Sequence, residues 1–141
     1  MAMWSMADFW RLALLVLVGF GVARWVLSGE NRGRRWGLAA LLAAACLPLW
    51  VNGAVGIVGN EQNPVNRLFF VVSGFALGGA LLVKFRTAGL VRVAVLSAAL
   101  HVAVIVLVWL RGADSAPWPA WLLAAPWLVA AALLRRAGRL A

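Results

Sequence analysis

A chain of 141 residues is the size of one domain, and 65% apolar against 12% charged residues leaves too little polar surface to cover a water-soluble globule. Lipid must cover it instead. The excess of 13 Lys and Arg over 4 Asp and Glu does not make a nucleic-acid binder, because such a protein gathers its basic residues on a solvated face and here they lie at the ends of apolar runs.

Five apolar runs follow one another along the chain. The first, residues 10–27, holds only residues 12–23 uninterrupted between Arg11 and Arg24, so it spans only if both arginines snorkel to opposite interfaces. A rise of ~1.5 Å per residue then gives it about 27 Å. A secretory signal peptide is the competing identity, but Asp8 stands where a positive n-region is expected and Val22-Ala23-Arg24-Trp25 makes a poor cleavage site. It is read as a retained helix.

The second run, residues 36–59, carries Pro48 and Asn52, and the third covers residues 65–85. The fourth, residues 89–110, has Arg92 near its start and His101 near its middle; the fifth, residues 117–134, contains Pro126. Proline inside such helices is tolerated where neighbouring groups satisfy the freed carbonyls, at the cost of a kink. The expected fold is all-α: one polytopic transmembrane helical domain over residues 1–141, with five helices, or four plus a short or interfacial N-terminal one. Cys46 is a lone cysteine in an apolar stretch, which excludes an intrachain disulfide and predicts a packed small hydrophobe.

Orientation follows from the basic residues. Arg24, Arg32, Arg34, Arg35, Lys84, Arg86, Arg92, Arg135, Arg136 and Arg139 fall on one side, and only Arg11, Arg67 and Arg111 on the other. The richer side should be cytoplasmic, giving an outside N-terminus and a cytoplasmic C-terminus. Asp8, Glu61 and Asp114 then face outward, with Glu30 the one cytoplasmic acid. Trp25 and Trp36 fall at the inner interface, and Trp4, Trp10, Trp109, Trp118 and Trp121 at the outer one, as an aromatic belt requires.

Helices associate in lipid where small residues let backbones approach. Gly53, Gly56 and Gly59 recur every third residue in the second run, and Gly74 and Gly78 give the third a GxxxG pattern. Packing of these two helices along their glycines is one expectation, and a homodimer contact through Gly74 and Gly78 is the other.

The polar stretch 59–67 joins the two runs. Asn63 before Pro64 has the form of an N-cap followed by proline at the first helical position, and Glu61 suits a helix N-terminus and can pair with Arg67. The functional alternative is an outer vestibule in which Asn52, Asn60, Glu61, Asn63, Asn66 and Arg67 gather, with Asn52, Glu61 and Asn66 lining a path for a cation or small solute. Residues 50–66, Trp-Val-Asn-Gly-Ala-Val-Gly-Ile-Val-Gly-Asn-Glu-Gln-Asn-Pro-Val-Asn, followed by Gly79-Ala80 and Phe85-Arg86, resemble a group of small uncharacterised bacterial membrane proteins sharing WxNxAVGIxGxExNPxN and GAxxxxF[RK]. The resemblance covers roughly residues 40–136 and implies about four helices in a bacterial inner membrane, with no activity attached. It also implies a neutral amide near the position of His101.

His101 is the only histidine and lies at mid-membrane depth, where an ionisable residue suggests function. It could ligate haem or relay a proton, but a second histidine would have to come from a dimer and no acid lies at that depth. A neutral imidazole bonded to a hydroxyl, backbone or amide on a neighbouring helix is the structural alternative, with Ser97 one turn away. No cofactor or metal is expected, and no catalytic constellation is visible, so the chain is not read as an enzyme. The leading function is a non-catalytic accessory or structural subunit, partnered by lipid and by other membrane subunits or itself. The alternative is a homo-oligomeric small-solute or ion transporter or channel, which the scarcity of membrane-embedded polar groups disfavours.

Overall fold

The computed structural model describes residues 31–60, 62–111 and 118–139, together with Leu17, Val18, Gly21 and Arg24. Those last four are helical, and the rest of the first run, residues 10–27, lies outside the described residues. So do Asp8, Arg11, Glu30, Glu61, Asp114, Trp4, Trp10 and Trp25.

Five α-helices follow: α1 (Arg32–Val55), α2 (Arg67–Leu82), α3 (Thr87–Leu110), the short α4 (Trp118–Leu122) and α5 (Ala125–Arg139). A 3-10 turn, Pro64–Asn66, leads into α2. Among the described residues four stretches are long and apolar enough to cross a membrane, the fourth running from Ala120 to Arg139 through the α4–α5 break. The chain is an all-α helical bundle with the make-up of a multi-pass membrane protein.

Each boundary has a local cause. The second span starts at Arg32 rather than 36 and ends at Val55 rather than 59, because Gly56 takes φ 76°, outside the helical region, while its N–H still reaches the Asn52 carbonyl. Pro48 is buried inside α1 and does not end it. At the end of α2 the Phe85 N–H bonds the Ala80 carbonyl and the Lys84 N–H that of Leu81, with Lys84 at φ 51° and Phe85 at φ 55°. This is a Schellman closure made without glycine. A guanidinium N–H of Arg34 donates to the Phe85 carbonyl at 2.8 Å and ties the turn to α1.

The fifth run divides at Leu123 and Ala124. Pro126 has no N–H and its ring would crowd the Leu122 carbonyl, which disfavours a continuous helix; unlike α1 at Pro48, the last span breaks here, and the Ala124 N–H turns back to Trp121. Beyond the break α5 continues to Arg139, past the expected end at 134. Basic residues in its last turn complement the negative end of the helix dipole.

The four spans run alternately up and down. Each packs mainly on two neighbours, in the circular order α1, α2, α3, α5, and α1 with α5 is the most extensively packed pair. Alanine lines the seams: Ala44 and Ala45 on α1, Ala76 and Ala80 on α2, Ala94 and Ala98 on α3, and Ala130 and Ala131 on α5 form one buried cluster with Trp127 and Leu134. Small side chains bring helix axes close enough for dispersion contacts to accumulate.

This corrects the expected internal pairing through glycine. Gly53, Gly74 and Gly78 have nothing within 4 Å of where a Cβ would stand. Ala76 lies two residues from both Gly74 and Gly78, about 200° round the helix, so burying the alanines turns the glycines outward. Gly56 and Gly59 are past the end of α1 and take positive φ of 76° and 70°. The close approaches are elsewhere: a Cβ on Gly37 would meet Leu134 Cγ at 2.6 Å, and one on Gly79 would meet Val93 at 3.1 Å. Cys46 is exposed on α1 rather than packed. Large apolar side chains cover the outside of the bundle, Leu82 being 85% and Val71 67% exposed, as lipid contact requires.

Candidate functional site

The polar connection between α1 and α2 is organised by three asparagines. Pro64 fixes φ at the start of the 3-10 turn, and the Asn63 Oδ1 accepts the Val65 N–H at 3.0 Å. The Asn60 Oδ1 accepts the Gln62 N–H at 3.0 Å. Asn66, only 1% exposed, bridges the segment: its Oδ1 accepts the Val58 N–H at 2.8 Å and its Nδ2 donates to the Asn60 carbonyl at 2.8 Å. Both ends of this side chain are thus engaged by backbone. Beneath the loop, Ile57 and Val58 turn inward and join Phe69, Ile105, Val108, Ala120 and Leu123 in a second buried apolar cluster. This end of the bundle is therefore closed by hydrocarbon.

The sequence candidates separate accordingly. Asn60, Asn63 and Asn66 come together as a loop-ordering set. Asn52 is half-buried in the last turn of α1, Arg67 is exposed at the start of α2, and Glu61 lies outside the described residues. The part played by Asn66 has no local signature, because its partners are defined only once residues 56–60 fold back over α2.

His101 is fully buried in α3. Its Nε2 lies 3.1 Å from the Ala120 carbonyl, and its ring is tilted 55° against Phe69 with centroids 5.1 Å apart. A carbonyl can only accept, so Nε2 carries the proton and Nδ1 keeps its lone pair in the neutral ring. The α4–α5 break explains the bond. In a continuous helix the Ala120 carbonyl would take the Ala124 N–H, which here goes to Trp121, and the imidazole fills the vacancy.

Among the described residues, His101 Nδ1, Ser97 Oγ and Trp127 Nε1 are buried without a hydrogen-bond partner. Ser97 is one turn from His101, and the antiparallel register that places Thr87 by Gly138 and His101 by Ala120 brings Trp127 level with Ser97. The sequence marked His101 and Ser97 but not Trp127, whose signal was its place mid-run, away from both interfacial belts. Among the described residues no three of His, Cys, Asp and Glu gather where a metal ion could sit. Comparison of the chain with protein-family models, with curated proteins and with solved structures gives no match.

Proposed function

We propose that this chain is a non-catalytic accessory or structural subunit of a membrane assembly, joined to other membrane helices through the outward glycine stripe of α2. The closed loop end carries this reading: Asn66, which a vestibule would present to a solute, is engaged by backbone at both ends of its side chain, over a plug of Ile57, Val58 and Phe69. Val71, Gly74, Phe75, Gly78 and Leu82 share one face of α2, four of them exposed and Gly78 half-buried. Such a face invites a partner helix, another subunit or a second copy, by close backbone approach. The arginine asymmetry supports a cytoplasmic C-terminus, and the resemblance in residues 50–66 supports a bacterial inner membrane.

Purified chain in liposomes tests the absence of a path: ion and small-solute uptake should match empty liposomes, and uptake above them would overturn the reading. The transport alternative draws on one observation, the unpartnered polar atoms of Ser97, His101 and Trp127 at mid-depth. Uptake that disappears in the Ser97→Ala variant would favour it.

A further inference from the structure

At the end where α1 and α3 begin and α2 and α5 finish, nine basic side chains converge: three from the start of α1, Lys84 and Arg86 from the turn, Arg92 from α3, and three from the end of α5. The whole sequence holds only four acids against 13 Lys and Arg. Helix dipoles explain part of this charge. Those at the ends of α2 and α5 meet the negative pole of their own helix. Arg92 does not, since it lies five residues into α3, about 8 Å along the axis and within reach of the positive pole.

The same Arg92 lines a cleft of about 650 Å³ with Thr87, Arg135 and Arg139, whose wall is completed by Val91 and Leu134. A second cleft of about 420 Å³ holds Lys84 and Arg86 on its other side. The first turn of α3 has no acidic residue, and its N-cap, Arg86, makes no side-chain capping bond. Three arginines and the first residues of α3 thus border one cleft near the positive end of that helix, and a tetrahedral oxyanion is the ligand that suits both.

We propose that this cleft binds the phosphate of an anionic phospholipid headgroup. A lipid is favoured over a free phosphate by what lies below Arg92. Ala88, Arg92, Val95, Ala99 and Val102 form one exposed stripe along α3, so a phosphate held by Arg92 sits at the head of an apolar track for its own acyl chain.

Native mass spectrometry of the detergent-purified full chain, incubated with phosphatidylglycerol, phosphatidylcholine or inorganic phosphate, tests the site. The expected result is retention of phosphatidylglycerol with about tenfold preference over phosphatidylcholine. The Arg92→Gln/Arg139→Gln pair should lose that preference, while Arg32→Gln/Arg136→Gln, which removes the same charge from the same end, should keep it. Equal loss in the two pairs would overturn the proposal in favour of diffuse surface charge. No preference in the wild type would overturn it without any variant. Displacement of the lipid by millimolar inorganic phosphate would overturn the headgroup assignment and make the cleft a site for soluble phosphate.

Discussion

Nε2 of His101 lies 3.1 Å from the carbonyl oxygen of Ala120, nineteen residues on and in a different helix. The bond closes a gap that Pro126 opens, since the α4–α5 break leaves that carbonyl without its helical donor. His101 is accordingly a clasp between α3 and the start of the last span.

Removing the clasp should destabilise the fold by an amount set by the orphaned carbonyl. A buried unpaired acceptor costs roughly 1–3 kcal/mol, and interhelical bonds in membranes average about 0.6 kcal/mol. His101→Leu is therefore expected to lose about 1–2 kcal/mol in detergent unfolding. His101→Gln, which restores an N–H donor, should recover much of that loss; a Gln variant as damaged as the Leu variant would contradict the clasp.

Asn66 and Asn63 are expected to differ. Asn66→Ala strands the buried Val58 N–H and leaves the Asn60 carbonyl with only the Asn63 N–H, whereas Asn63→Ala removes one cap bond. Thermal unfolding should give about 2–4 kcal/mol for the first and about 1 kcal/mol for the second. The reverse order would show that the loop is not held through Asn66.

Glycine substitutions separate packed from open faces. A methyl on Gly37 would come within 2.6 Å of Leu134 Cγ and 3.1 Å of its backbone nitrogen, in the most extensively packed helix pair. Gly37→Ala should cost about 1–3 kcal/mol through overpacking. Gly74→Ala, with open space before it, should leave the melting of the isolated chain unchanged to within about 0.5 kcal/mol.

The arginine asymmetry sets the topology test. In a Cys46→Ala background, a cysteine at the exposed Gln62 should react with an impermeant maleimide in intact cells, and one at Arg32 should react only after lysis. The opposite pattern would invert the chain.

The spans were legible because runs of about twenty apolar residues have few alternatives in a short chain. Which small residues pack was not. Gly53, Gly56 and Gly59 look like a stripe only if the helix continues through them, and the positive φ of Gly56 ends it; glycine serves close packing and left-handed backbone equally well, so spacing alone cannot separate the two uses. The seams are alanine instead, and alanine occurs on every face of these helices, which hides the pattern. Pro126 announced a disturbance in the last span. It could not announce that a histidine on another helix would answer the carbonyl set free.

The central claim is association without transport, and the size of the extracted particle tests it most directly. Chain extracted in mild detergent should migrate in a particle larger than one copy, and the Gly74→Leu/Gly78→Leu variant should migrate as a folded single chain with unchanged melting. A wild-type chain that is already monomeric, or a double variant that assembles as before, would contradict the account.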